Sequence, residues 1–525
     1  MSKKLTLSSH IVSVLFLIVI GIALRLWRLP ELFHFTYDEE IFAFVGKRMF
    51  VNGHITLIGG VTPMHVHVAP YFYWLSGIFL FLSKLNPLGW GIVSAALSGI
   101  TMYILYKLAR TLFDKWVALV AVLFYSFSFY MNIFDRHYWG LVFDGMLSLL
   151  TFYCLHKIIQ GREKYVVFLA GVLAFGIHTD LSILTLIVLT GLSWFVFRPQ
   201  VSKKSIFLGL GVFFITFIPL IIFDLRHNFS NSRGVFQYIE EVRLGREGVM
   251  HESAIDTLLF IPRGLARTFY VSGDLDLARQ YSYCANHVTQ RLQEVPQLMI
   301  FVIFLVFILL LWFVNKQNVQ RSEKIGLQLM LLLFLSTYLG VSVYGISFKG
   351  DLFDHYLGTL FPIFLLLVAF IVTQTVKNWK LLSLGLIFFA TVNVSLLFQS
   401  QHRFGFADKI RAVDWTVMTL NNQEFSLDVI GDCFRYNGYR YLFYLRGKEP
   451  VKSYVDANLT HLYDQPPATT HPQFLVVFTN PDWEETESYV AEYEKYKQKL
   501  ITSAKFGAIE VLIVDNRNLD FVGKF

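Results

Sequence analysis

Long apolar runs recur along this chain, at roughly 11–29, 89–109, 116–133, 138–155, 165–180, 181–197, 205–223, 296–314, 325–346, 355–374 and 381–398. Each comes close to the ~20 residues a helix needs to cross ~30 Å of hydrocarbon, which predicts about eleven membrane spans. Only Gly176-Ile-His-Thr-Asp180 separates the fifth run from the sixth. A further apolar stretch, Ala69–Leu85, is interrupted by Pro70, Ser76 and Gly77. Beyond residue 400 the pattern changes to short alternating and amphipathic segments. They predict strands at Ser426–Ile430, Phe474–Thr479 and within Ala504–Val514, and helices near Tyr439–Leu445 and over Asp482–Leu500. The expected fold is an α-helical polytopic membrane domain over 1–399, with outer loops at 30–88 and 224–295. A C-terminal extracytoplasmic α/β domain over 400–525 would follow.

Charge orients the spans. The connections holding Lys3 and Lys4, Lys107 to Lys115, Lys157 to Lys164, Arg198 to Lys204, Lys316 to Lys324, and Lys377 with Lys380 are rich in basic residues. Their acids are Asp114, Glu163 and Glu323. The positive-inside rule puts all of them in the cytoplasm. The first span then exits and the 89–109 span enters, so Ala69–Leu85 lies in the outer interface as an interfacial helix. The N-terminus is cytoplasmic and the tail extracytoplasmic.

Composition fits this picture: 55% of the 525 residues are hydrophobic and 16% charged, against about a quarter charged in soluble domains. The net charge of +7 sits in the cytoplasmic connections and gives no reason to invoke nucleic acid. Membrane lipids are the expected surroundings. No small-residue cleavage site follows the first apolar run, which therefore reads as an uncleaved span. Cys154, Cys284 and Cys433 are too few for a disulfide framework, although one Cys284–Cys433 bridge is conceivable.

Candidate chemistry gathers at the outer boundary. Asp38, Glu39 and Glu40 follow the first span directly. On a soluble protein they would mark a hydrated helix N-terminus; at a membrane surface they suit a general base acting on a lipid-linked substrate. Arg25 and Arg28 are spaced to share a helical face. Arg136, and Arg226 with His227, fall at other outer boundaries. Snorkelling to headgroups explains such residues singly; converging, they would clamp a phosphate. His65 and His67 form half a metal site without a third ligand at suitable spacing. Lys349, Asp351, Asp354 and His355 could line a site from a short late loop.

These features resemble the GT-C membrane glycosyltransferases, specifically the protein-O-mannosyltransferase and aminoarabinose-transferase branch (glycosyltransferase family 39-like). The resemblance is carried by Leu24–Pro30 (LRLWRLP) with Thr36–Glu39 (TYDE), His67–Trp74 (HVAPYFYW), Tyr106–Phe113 (YKLARTLF), Arg136 with Trp139, and Pro219–His227 (PLIIFDLRH). More loosely it includes Asp354–Tyr356 with Pro362.

The resemblance implies an inverting transferase with a polyprenyl-phosphate sugar donor and a glycan, lipid or protein acceptor. Asp38 would be the base and Glu39 its neighbour. Arg136, Arg226, His227 and Arg28 would be the candidates for donor phosphate. A second-loop acid, Asp135 or Asp144, would assist, with His67 and His355 as further site candidates. The aminoarabinose branch places a lysine before the aromatic segment, where this chain has Val68. No metal is assigned, and a divalent ion stays open as a cofactor. A transporter or lipid flippase is the rival reading, favouring charges at mid-span; a non-catalytic scaffold with an exported sensing domain is a third.

The charge parity is testable by labelling. Gly53→Cys and Pro87→Cys should both react with an impermeant thiol reagent added outside. Reaction of position 87 only from the cytoplasm would reverse the assignment for Ala69–Leu85.

Overall fold

The computed structural model describes residues 9–62, 65–244, 253–270, 275–277, 294–317, 320–347, 352–431, 437–463, 471–482 and 487–517. Lys3, Lys4, Cys284, Lys349, Asp351 and Cys433 lie outside them.

The first helix, α1 (Ser9–Leu26), stops just before Arg28, whose φ of 49° is left-handed. A one-turn helix, α2 (Leu29–Leu32), then leads to α3 (Tyr37–Phe50). The hydropathy spacing had placed Arg25 and Arg28 on one face, but the turn at Arg28 separates them. Arg25 points into the protein, where its Nε donates to Asp135 at 2.8 Å; Tyr125 donates to the same carboxylate at 3.2 Å. Arg136, the next residue, donates to the carbonyls of Leu24, Arg25 and Trp27. These are the carbonyls a helix leaves unpaired at its C-terminus. The Asp135–Arg136 pair therefore grips the C-terminal end of α1.

Packed on α3 is α4 (Tyr71–Leu82), starting after Pro70. Twelve residues reach only ~18 Å, too short to cross ~30 Å. The helices approach closely because both contacts are glycine: a Cβ on Gly46 would lie 2.9 Å from the Cα of Gly77.

The remaining helices of this part are α5 (Leu88–Leu112), α6 (Lys115–Phe127), α7 (Phe129–Phe134), α8 (Asp144–Ile159), α9 (Tyr165–Ile177), α10 (Leu184–Phe197), α11 (Lys203–Ile215) and α12 (Ile218–Arg226). They continue with α13 (Ser230–Leu244), α14 (Ala254–Ala266), α15 (Gln297–Asn315), α16 (Arg321–Ser342), α17 (Phe361–Thr375) and α18 (Trp379–Gln399). Among the described residues, five helices are long and apolar enough to span a membrane, or six if the bent α11–α12 pair is one span. The other apolar helices have 10–17 residues, so helix length does not establish eleven crossings. Several apolar runs are broken by polar capping. The 116–133 run divides at Ser128, whose carbonyl and hydroxyl both serve α7: Asn132 donates to the carbonyl at 2.8 Å and Met131 N–H to the hydroxyl at 3.4 Å. The 138–155 run begins as a 3-10 turn at Gly140–Phe143.

The tail adds α19 (Phe406–Leu420), α20 (Tyr439–Leu445), α21 (Asp456–Leu459) and α22 (Glu487–Lys497) around five strands. These are β1 (Phe425–Val429), β2 (Lys452–Ser453), β3 (Phe474–Thr479), β4 (Leu500–Phe506) and β5 (Ile509–Asp515), in the order β2-β1-β3-β5-β4. β1 is parallel to β2 and β3, while β5 is antiparallel to β3 and β4. The hydropathy pattern missed α19, α21 and β2.

The apolar core runs without a break from the helical part into the tail, joining Phe33, Phe35 and Phe44 to Tyr441, Leu442 and Val476. Gly438, with φ 71°, brings the start of α20 against Phe35 and the Thr36 carbonyl, where a Cβ would lie 2.9 Å from that oxygen.

The glycine contact gives a stability test. Gly46→Ala should force α3 from α4 and cost about 1–3 kcal/mol, the usual range for overpacking. Gly191→Ala, with nothing within 4 Å of its added Cβ, should be neutral. Thermal unfolding in detergent measures both; equal midpoints would show that the α3–α4 spacing is not set by these glycines.

Candidate active site

One helical turn carries the acidic cluster. Successive side chains on a helix are ~100° apart, so Asp38, Glu39 and Glu40 leave α3 in three directions. Each meets a different part of the molecule.

Asp38 opens into a cavity of about 930 Å³. The walls come from α3 itself, from the loop around His54–Val61, from His67 and Tyr73, and from Leu459, His461 and Leu462 of the tail. The residue is exposed along that cavity, and the protein atoms packed around it there desolvate the carboxylate. This desolvation, and secondly the charge of Glu39, raise its pKa to about 6, against a smaller opposing effect of His137.

Glu39 turns inward and is completely buried. Its Oε2 accepts the Thr36 N–H at 2.8 Å and the Thr36 hydroxyl at 2.9 Å, closing the N-terminus of α3. Its Oε1 lies 2.5 Å from His137 Nε2. Burial alone would push this carboxyl up, but the charge and hydrogen bond of His137 and the bonds from Thr36 outweigh it. The net pKa is below the ordinary value. His137 stacks on Trp139 at 4.0 Å, and Trp139 meets His355 edge-on at 4.7 Å.

Glu40 turns toward the tail, where Oε1 accepts the Tyr441 N–H at 2.8 Å and Oε2 is buried without a partner. Burial raises its pKa to about 7, although Tyr441, Arg440 and Lys409 act to lower it. Lys409 is itself buried, which lowers its pKa to about 7 against the pull of Glu39 and Glu40. Its ammonium donates to the Phe35 and Asn437 carbonyls.

The other sequence-predicted residues are only partly brought together. His67 lines the cavity, and its ring lies 5.3 Å from Phe223, which stacks on His227 at 4.1 Å. His227 and the adjacent Arg226, both exposed, are thus linked to the cavity wall. Arg28 is exposed and donates to the Ser400 carbonyl at 3.2 Å. Arg136 is 1% exposed and donates to the carbonyls that end α1, and it is not among the residues lining the cavity. Asp135 is engaged by Arg25. Asp144 is buried at the start of α8, where it accepts the Ser182 hydroxyl at 2.7 Å. Neither second-loop acid lines the cavity. His65 pairs with Glu241 at 3.0 Å and so turns away from His67.

A different group has metal-ligand character. His34, Glu39 and His137 each offer a ligand atom, all within 4.8 Å of one another and all buried. Two imidazoles and a carboxylate are a donor set that zinc accepts. The trio is already joined by the Glu39–His137 bond, so its geometry suits an ion and also holds without one. Sequence reading passed over His34 and His137, although His137 stands two residues beyond Asp135 in a stretch already marked for Arg136. Glu39→Gln should keep the Thr36 N–H contact but weaken the His137 pair, and Glu39→Ala should lose both. Breaking a buried pair costs about 3–5 kcal/mol; unfolding midpoints should therefore fall in the order wild type, Gln, Ala. An Ala variant as stable as wild type would remove Glu39 from the scaffold.

Comparison with known proteins adds three observations. No curated protein matches the chain. Among solved structures, ArnT from Cupriavidus metallidurans bound to undecaprenyl phosphate is similar at 13% identity and TM-score 0.45, covering 96% of this chain and 97% of that one. The Archaeoglobus fulgidus oligosaccharyltransferase in its apo form is similar at 11% identity and TM-score 0.49, covering 86% and 65%. Residues 67–223, which begin after α3 and include neither Asp38 nor the tail, match a family model. Over that segment the chain is similar to the dolichyl-phosphate-mannose-protein mannosyltransferases, in keeping with the GT-C resemblance read from its motifs.

Proposed function

We propose that this membrane protein transfers a sugar from a polyprenyl-phosphate donor to an acceptor hydroxyl on the extracytoplasmic side, with inversion at the anomeric carbon. The observation that carries the reading is the placement of Asp38. Of the three adjacent acids, it alone opens into the cavity, while its neighbours are bonded to scaffold.

In this reaction the acceptor oxygen attacks the anomeric carbon as its proton passes to the Asp38 carboxylate. The bond from that carbon to the phosphate oxygen breaks, and polyprenyl phosphate leaves with the electron pair. Attack opposite the leaving group inverts the configuration. General-base help of this kind gives ~10²–10⁴-fold, and positioning and electrostatics must supply most of the rest. Arg226 and His227, next to the cavity through Phe223 and His67, are the best-placed candidates for steadying the phosphate.

In this reading the tail shapes acceptor access and does no chemistry. Its residues Leu459, His461 and Leu462 form part of the cavity wall, which supports that role. Glu40 leaves α3 ~200° from Asp38, and its bond to Tyr441 ties α3 to the tail.

Asp38→Asn keeps shape and an acceptor oxygen but takes up no proton at accessible pH. Turnover with a labelled polyprenyl-phosphate sugar should fall by about 10²-fold or more, while donor affinity stays at least as high, because a negative charge near the phosphate has gone. Near-wild-type turnover in folded Asp38→Asn would end the assignment. Glu40→Gln retains the acceptor for Tyr441 N–H and serves as the comparison; its loss of turnover should be much smaller.

A further inference from the structure

The cavity has direction. Asp38, Ile41, Val45 and Arg48 all line it, and at 100° per residue they fall within about 80° of arc on α3. The cavity therefore follows the helix. Asp38 lies at the first turn and Arg48 in the last, ten residues and ~15 Å further along the axis. Between them the α3 side of the wall is apolar, formed by Ile41 and Val45; Leu459 and Leu462 of the tail also line the cavity, with Thr56, His67 and Tyr73 elsewhere on its wall.

The far end is cationic. The Arg48 Nη1 donates to the His461 carbonyl at 2.6 Å, so its head is fixed at the tail's side of the cavity. His54, whose N–H donates to the Arg48 carbonyl at 2.9 Å, is the adjacent lining residue, and His461 completes the group. A guanidinium has five N–H donors in a planar fork suited to carboxylate or phosphate.

The leaving phosphate belongs nearer the Asp38 end. An acceptor oxygen bonded to Asp38 lies ~3 Å from it, the attacked carbon another ~3 Å on, and the phosphorus only one oxygen beyond that carbon. These short steps favour the Asp38 end for the phosphate and leave the Arg48 end for another group. We propose that Arg48, with His54 and His461, binds an anionic group of the acceptor, a phosphate or carboxylate separated by an apolar span from the hydroxyl that receives the sugar. The acceptor is thus an elongated amphiphile with an acid at one end. This assignment rests on the glycosyl-transfer reading and names the acceptor class for the same site.

The test uses ω-hydroxyalkyl phosphates and ω-hydroxy fatty acids of graded length, with the matching neutral diols. Binding to the full-length protein in detergent is measured by calorimetry without donor. At the best chain length, at least one charged probe should bind about tenfold tighter than its diol, as one charge-assisted hydrogen bond would give. Arg48→Gln should bring the charged probe down to the diol, and Arg48→Lys should restore most of the difference. A short-chain polyprenyl phosphate should leave the preference intact.

Equal binding of charged and neutral probes to wild type would overturn the proposal. So would a preference that survives Arg48→Gln in protein with a wild-type unfolding midpoint, or one abolished by polyprenyl phosphate, which would place the donor's phosphate at Arg48. Lys restoring what Gln loses distinguishes charge from a folding defect. Transfer from a labelled donor to the same probes is scored separately. Absence of transfer with every probe and donor would count against the transferase reading, whereas the binding result alone decides the anion site.

Discussion

The site depends on the angular step of an α-helix. Three carboxylates in succession cannot share one environment when each is turned ~100° from the last. On α3, Asp38 reaches the cavity, Glu39 reaches His137 and Glu40 reaches Tyr441. Two of the three acids thus hold the helix to the rest of the molecule, one against His137 in the turn after α7 and one against the tail. The third is left open. In the proposed reaction Asp38 has to be held to within a fraction of an ångström by its supports, and its neighbours in the chain are those supports.

The same economy appears behind α1. Asp135 and Arg136 follow each other, yet one neutralises Arg25 and the other caps the carbonyls that end α1. Breaking a buried ion pair is costly even where the pair itself adds little net stability. Its effect here is positional, since the C-terminal end of α1 sets where α2 and the start of α3 lie. Phe406 N–H then bonds the Phe33 carbonyl at 3.0 Å, and Lys409 bonds Phe35. The short segment between α1 and α3 is thereby clasped by the Asp135–Arg136 pair at one end and by the tail along its length. A cavity wall contributed by residues near 460 is the consequence, because the tail cannot close on α3 without also facing the groove beside it.

What the amino-acid order determined by itself was the apolar run after apolar run, the basic connections and the acidic cluster directly after the first span. Those signals are local: hydropathy is summed over ~20 neighbours, and Asp38–Glu40 are adjacent. The motifs legible to a GT-C resemblance were local too. The tertiary structure decided which acid is open, because the direction of each depends on partners far away in sequence. Tyr441 is 401 residues from Glu40, His461 is 413 from Arg48, and His137 is 98 from Glu39. Arg136 read as a surface cation until the end of α1 was brought beneath it, and His34 and His137 read as nothing until two loops placed their rings 4.7 Å apart. Hydropathy marks which segments leave water. Which side chains then meet is set by packing between segments, and no window along the chain contains both partners.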